Sequence, residues 1–381
     1  MAGQETRQVL SGHLPAVVRG LKPVGSLPNE TMLDLILGLP HRQPSKLTEF
    51  IKEVCNPESP RFRQFLTPAE FTLLFAPSEA DYQAVIAFAR SQQFEVVASV
   101  QNRTLLHVRC SAAAIAKAFQ TTLCIYHHPK SQRTFFAPDV DPSIEHGLPI
   151  LHITGLDDAT ELGSGPLESG SAPMPSAGSG GNGSLTAVDL RAAYAPGVSL
   201  TGAGQTVGIL SFGAYNEGDI NLYAAKNGMS PVPIQNIDLP GFNAGDPGAD
   251  TLTNVEATLD IEMAIAMAPG LAKVVVYRAP HSSIPMLLNE MANPTMGEPF
   301  PLQLTTSYAI NYGANSSNEQ IFRQMAAQGQ SFFVASGDNG AYFPVTRSGD
   351  FPPADSEYVT CVGGTILFTT GPAGAWMSEV A

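Results

Sequence analysis

Positive charge is scarce in this chain, and so are cysteine, charge of either sign and long apolar runs. Twenty Lys and Arg stand against 34 Asp and Glu, giving a net charge of -14. That balance argues against a nucleic-acid partner, which needs a basic face to neutralise phosphates. No uninterrupted apolar stretch reaches the roughly 18 residues that a membrane span requires. Residues 1–20 show no basic segment followed by an apolar one, so no signal peptide is read there. The four cysteines, Cys55, Cys110, Cys124 and Cys361, form no CxxC pair or zinc-ligand spacing, and their settings suggest small apolar core residues. Charged residues make up only 14% of the chain and hydrophobic ones 44%, which excludes a disordered polyelectrolyte. With 35 Gly and 31 Pro in 381 residues, turns dominate over long helices.

The remaining features divide the chain in two. Residues 163–184 read GSGPLESGSAPMPSAGSGGNGS, a composition that cannot bury a core and predicts a flexible linker. Residues 1–162 carry 14 basic and 16 acidic side chains, whereas residues 163–381 carry 6 and 18, so the acidity belongs to the second part. Histidine is skewed the other way, with seven before the linker and only His281 after it. Before the linker, periodicity predicts helices over 81–93 and 111–119 and strands over 104–109 and 122–126, a small α+β unit. His127 and His128 at a strand end read as exposed turn residues. After the linker, strands over 205–214, 272–277, 302–308 and 331–336 alternate with helices near 217–227, 255–267, 284–292 and 317–328. That alternation predicts a mostly parallel sheet with helices on both faces, its site at the carboxyl ends of the strands.

No G-x-S-x-G elbow, P-loop or HExxH motif is present. His281, in Ala-Pro-His-Ser-Ser, reads as an exposed turn residue, so the second part lacks a good histidine base. Carboxylates stand out instead. In Asn254–Gly270, Glu256 and Asp260 are four residues apart and share a helical face with no Lys or Arg partner. Such a pair is either a solvated acidic face or two carboxyls sharing a proton, within hydrogen-bond reach of each other, for acid/base work at low pH. In Phe332–Tyr342, an apolar strand runs into Ser-Gly-Asp-Asn-Gly, placing Asp338 in a turn at a strand's carboxyl end. There it serves either an ordinary Asx turn or an active site.

These pieces occur together in a known family. The segment Pro60-Arg61-Phe62-Arg63-Gln64-Phe65-Leu66-Thr67-Pro68-Ala69-Glu70-Phe71, with Ala76-Pro77-Ser78 and Gly155-Leu156-Asp157, resembles the prodomain of the sedolisins, or serine-carboxyl peptidases, including their kumamolisin-like members. Leu185–Tyr194 resembles the start of the mature enzyme, Glu256-Ala257-Thr258-Leu259-Asp260 its catalytic helix, and Ser336-Gly337-Asp338-Asn339-Gly340 its oxyanion turn. Cys361-Val362-Gly363-Gly364-Thr365 resembles its Val-Gly-Gly-Thr signature. The resemblance implies a subtilisin-like, mostly parallel α/β sheet preceded by a ferredoxin-like α+β prodomain. It divides the chain into an activation prodomain (1–162), a linker (163–184) and the N-terminal part of a peptidase domain (185–381). It assigns Glu256 as general base, Asp260 as the group that orients it, and Asp338 as a protonated oxyanion donor. The implied function is an acid endopeptidase precursor, extracellular, acting on peptide or protein substrates, its prodomain packed on its own catalytic domain. The family's Ser-Gly-Thr-Ser nucleophile motif and its calcium-binding segment do not occur in these 381 residues, so this chain alone is expected to be inactive. The alternative is a non-catalytic protein whose prodomain binds or inhibits related proteases.

Overall fold

The computed structural model describes residues 7–129, 133–159, 178–249, 251–310, 316–337 and 353–380. Its first part runs β1 (Arg7–Val9), β2 (Gly25–Ser26), β3 (Met32–Gly38), α1 (Pro44–Cys55), α2 (Pro68–Leu74), α3 (Glu79–Ser91), β4 (Glu95–Ser99), β5 (Leu105–Ser111) and α4 (Ala112–Phe119). Then follow β6 (Leu123–His127), β7 (Thr134–Pro138), β8 (Ser143–Glu145) and β9 (His152–Thr154). Helix boundaries are written into the sequence. Thr67 and Glu70 close a reciprocal capping box at α2, with Pro68 at its first position, and Ser78 and Asp81 do the same at α3.

The main sheet of this part has the order β4-β5-β3-β9, with all neighbours antiparallel. With helices in the two crossovers, this is the βαββαβ arrangement of a ferredoxin-like unit. Along β3, side chains alternate between two cores. Leu35 and Leu37 pack with α3 and α4 residues such as Val85, Phe88, Ile115 and Phe119. Ile36, pointing the other way, shares a buried cluster with Leu287, Leu288 and Phe322 of the second part. The sheet is therefore covered on both faces, on one side by its own helices and on the other by the second part.

The second part contains α5 (Ala187–Tyr194), β10 (Thr206–Ser211), α6 (Glu217–Lys226), β11 (Ile234–Asp238), α7 (Leu252–Met267), β12 (Lys273–Arg278), α8 (Ile284–Ala292) and β13 (Gln303–Thr306). It continues with α9 (Ser317–Ala327), β14 (Ser331–Ala335), β15 (Val359–Val362), β16 (Ile366–Thr369) and β17 (Trp376–Val380). Six strands form a wholly parallel sheet in the order β11-β12-β10-β13-β14-β15. One face of it, with Ile209, Val274 and Val276, packs on Ile220, Ala257, Ile261 and Ile265 of α6 and α7. The opposite face, with Leu210, Val275 and Tyr277, packs on α8 and α9. This is the α/β architecture that the strand–helix alternation implies.

Several expectations are corrected. The described end of the 163–184 segment is structured: Gly181–Gly183 forms a short 3-10 turn, and Ser179 donates its N–H and Oγ–H to Asp189 of α5 at 2.9 and 2.8 Å. The rest of that segment lies outside the described residues. Cys110 and Cys124 are buried, but Cys55 and Cys361 are exposed; all four are free thiols. His127 is exposed, as read from the sequence, but His128 is buried, its ring edge-on to Phe135 and its N–H bonded to the Arg133 carbonyl at 3.0 Å.

Candidate active site

A parallel sheet offers its ligand crevice where neighbouring strands send their connections to opposite faces. Here β12 and β13 flank β10, and β10 and β13 leave the sheet side by side. The amino-terminal turns of α7 are held over that point. Ala214, just past β10, donates its N–H to Oδ1 of Asn254 at 2.8 Å. Tyr308, just past β13, donates its hydroxyl to the carbonyl of Thr253 at 3.2 Å. The approach is so close that a Cβ on Gly213 would lie 2.0 Å from the Thr253 oxygen. Glycine is required at this position by contact, not by φ.

Glu256 and Asp260 project from this end of α7. Glu256 is half-buried. Asp260 Oδ1 accepts the hydroxyl proton of Ser307, immediately after β13, at 2.7 Å. Asp260 Oδ2 is buried and has no hydrogen-bond partner among the described residues. The carboxyl–carboxyl hydrogen bond expected between Asp260 and Glu256 is therefore not formed. Their coupling is electrostatic: burial pushes the Asp260 pKa up to about 7, the Glu256 charge adds to the rise, and the Ser307 hydrogen bond opposes it. A solvated acidic face would not bury one of its carboxyls in this way. Asp338 lies outside the described residues. The strand that precedes it, β14, ends at the carboxyl edge of the sheet, where the Ser336 N–H bonds to the Val362 carbonyl at 2.9 Å.

A cavity of about 300 Å³ opens at this edge, lined by Thr306, Ser307, Ser336, Gly337, Gly363 and Gly364 among others. It joins the serine that holds Asp260 to the two glycine-containing motifs read from the sequence. A larger cavity of about 410 Å³, bordered by Ile51, Phe65 and Tyr358, lies between the two parts of the chain, away from the carboxylates. His281 is an exposed turn residue, as its sequence setting implied: it opens a short 3-10 turn and stacks on Phe212 with ring centroids 4.0 Å apart, and partial desolvation of its ring lowers its pKa. Among the described residues no group of three or more His, Cys, Asp or Glu could hold a metal ion, so no step is assigned to one.

Sequence reasoning missed Ser307 and Asn254 as site residues. A signal existed for the first, since Ser-Tyr at the carboxyl end of an apolar strand is where a parallel sheet presents polar groups. Asn254 carried none, because its partner is a backbone N–H forty residues away.

Comparison with known proteins gives a consistent picture. Residues 19–159 match the family described as Pro-kumamolisin, activation domain. The chain is 29% identical over 385 residues to sedolisin of Pseudomonas sp. (strain 101), covering 95% of this chain and 64% of sedolisin. It is 26% identical to xanthomonalisin of Xanthomonas sp. (strain T-22), covering 93% and 48%, and 25% identical to kumamolisin of Bacillus sp. (strain MN-32), covering 96% and 68%. The chain thus spans about half to two thirds of the length of these relatives. Among solved structures, Pseudomonas sedolisin, a serine-carboxyl proteinase complexed with pseudo-iodotyrostatin, aligns with a TM-score of 0.43 at 28% identity, covering 51% of this chain and 57% of that one.

Proposed function

We propose that this chain, whose residues 19–159 match a pro-kumamolisin activation domain and which is similar over most of its length to sedolisins, is a peptidase precursor whose α7 carboxylates serve peptide-bond hydrolysis at acidic pH. Glu256 is the general base. Asp260, one helical turn along the same face and held by the Ser307 hydroxyl, is the group that positions it. Asp338 donates a hydrogen bond to the developing oxyanion from its protonated form, which requires acid conditions. The nucleophilic serine is assigned to none of these 381 residues. The family's calcium segment likewise has no counterpart here, and the substrate is a peptide or protein met outside the cell.

The observation that carries this reading is the environment of Asp260. A half-buried carboxyl whose Oδ2 is buried with no partner among the described residues, beside a second carboxyl at the switch point of a parallel sheet, is costly for stability and suited to proton transfer. The test is a peptidase assay near pH 4 on the 381-residue polypeptide and on any longer product of its gene. In a product that turns over peptide, Glu256→Gln should lower turnover by roughly 10²–10⁴-fold, the usual worth of a general base. The 381-residue polypeptide alone should be inactive. Full activity in the Glu256→Gln protein would remove the base assignment, and turnover by the short polypeptide would place the nucleophile within it.

A further inference from the structure

Positive charge is scarce in the second part, with 6 basic side chains against 18 acidic ones. Those around its sheet are engaged. Arg278 pairs with Asp238 at 2.6 Å, and Lys273 donates to Gln235 Oε1 at 2.7 Å. Arg323 of α9 donates to the Pro44 carbonyl at 3.0 Å and to Thr48 Oγ1 at 2.8 Å. A carboxylate buried on the α8 side of the sheet therefore has little chance of a side-chain cation, although a buried charge without one is costly.

Glu290 and Glu298 are two such carboxylates, each 8% exposed. Glu290, near the end of α8, accepts the Thr295 N–H at 2.6 Å, the Thr295 hydroxyl proton at 2.8 Å and the Met296 N–H at 3.0 Å. The same Met296 N–H reaches Glu298 Oε2 at 3.1 Å, so one amide lies between the two carboxyls. Glu298 Oε1 is buried and has no hydrogen-bond partner among the described residues. No ion pair joins either glutamate to a Lys, Arg or His among the described residues.

A third oxygen reaches them from the sheet. Tyr277 of β12 is wholly buried, and its hydroxyl has no hydrogen-bond partner among the described residues. Gly208 of β10 makes room for its ring: a Cβ there would come 3.1 Å from Tyr277 Cε2 and 3.2 Å from Pro301 Cγ. The ring thus lies across the sheet beside Pro301, two residues before the chain enters β13 and three after Glu298. Burial raises the Tyr277 pKa most, and the charged groups that add to the rise are Glu298 and Glu290.

We propose that Glu290, Glu298 and Tyr277 bind one hard divalent cation of calcium's class, which ties the end of α8 to β12 and to the entry of β13. Oxygen donors alone suit such an ion, two carboxylates match its charge, and waters complete its shell. Calcium tolerates the irregular coordination of such a site, whereas magnesium demands a near-ideal octahedron. The unpartnered oxygens of Glu298 and Tyr277, costly out of water, become ligands. Thr295, Met296 and Gly297, which cover the two carboxyls, are exposed and give the ion a route from solvent. The site lies on the α8 face of the sheet, opposite α7, and the inference rests on no catalytic assignment. It is also separate from the calcium-binding segment of the sedolisins, which has no counterpart in these residues.

The test is equilibrium dialysis of the metal-stripped 381-residue chain against radioactive calcium at about pH 7.5, with thermal unfolding in EDTA and in calcium chloride. The wild type should bind one ion and gain on the order of 5 °C in Tm at calcium about a hundredfold above Kd. Glu298→Gln should lose both the ion and the shift, yet be at least as stable as the wild type in EDTA, because it removes an unpaired buried charge. Terbium luminescence excited through tyrosine supplies a second readout should that variant not fold. It should be bright in the wild type, quenched by competing calcium and dim in Tyr277→Phe. A wild-type chain that binds no calcium, its two glutamates holding a proton instead, would overturn the proposal. So would calcium binding that is unchanged in Glu298→Gln, or terbium luminescence that is unchanged in Tyr277→Phe.

Discussion

Ser307 and Asp260 are joined by a 2.7 Å hydrogen bond from a hydroxyl just past β13 to a carboxyl on α7, across 47 residues of chain. The bond favours the ionised carboxyl and counters part of the burial that pushes Asp260 up to about 7. Ser307→Ala should therefore raise the Asp260 pKa further and Ser307→Thr should restore it. Carbon-13 NMR of the aspartate carboxyls checks both, and an Asp260 titration indifferent to residue 307 would remove the positioning role.

Asp260 also sets a pH dependence of stability. Its folded pKa lies above the unfolded value, so the folded chain binds the proton more tightly. Stability from this group is complete below about pH 4 and is lost as pH rises toward 7. Asp260→Asn removes that loss. The variant should match the wild type near pH 4 and exceed it at pH 8, by at most on the order of 4 kcal/mol. Urea titrations at the two pH values measure it, and equal differences at both would contradict the buried-carboxyl account.

Gly213 touches the Thr253 carbonyl closely enough that a Cβ would approach to 2.0 Å. Gly213→Ala must push the start of α7 off the sheet, at a cost of about 1–3 kcal/mol or more. Denaturation should show the loss, and the Asp260 titration should move with it, because Ser307 and α7 would separate. An alanine accepted without change would mean that this contact does not position the helix.

Gly329 stands where the second part meets the activation domain. It has φ +76, and a Cβ there would meet the Phe65 ring at 2.5 Å. Gly329→Ala combines a left-handed strain of about 1–2 kcal/mol with the displacement of Phe65. The expected result is faster exchange in α9 and around residues 62–66 at neutral pH, while β3 and β5 stay protected.

His13 and His152 stack within the activation domain, ring centroids 4.4 Å apart. His13 donates from Nδ1 to the Leu10 carbonyl and accepts the Ile153 N–H at Nε2, which fixes a neutral ring. Burial holds His152 at about 3 and lowers His13 as well. Their contribution is complete above about pH 6.5 and is lost as pH falls toward the folded values. The activation domain should thus lose stability in acid, and His152→Phe should flatten that loss in thermal unfolding between pH 7 and 5.

Much of the local architecture was legible in the residues themselves. The 284–292 helix, the helix read over 81–93 and found at Glu79–Ser91, and the β10, β12, β13 and β14 strands follow from periodicity, which acts over one or two turns. The strand β11 escaped notice because Ile234–Asp238, at a sheet edge, has only two apolar residues, three apart, and lacks both a period-2 pattern and the continuous apolar run of β12. Cys361 was misjudged for a related reason: its place on β15, at the sheet edge, leaves it exposed, and no neighbour in sequence announces an edge.

The i, i+4 spacing of Glu256 and Asp260 was fixed by sequence alone, since helical geometry turns that spacing into a shared face. Which of the two carboxyls becomes buried was decided only by the order β12-β10-β13, which carries Ser307 to Asp260 and Asn254 to the loop after β10. His41 is similar, an unremarkable histidine before a proline-containing helix start until α9 closes over it, its contact Gln320 lying 279 residues away. Periodicity is a property of neighbours along the chain. Desolvation depends on which elements pack together, and in this protein desolvation gives Asp260 and His41 their altered proton affinities.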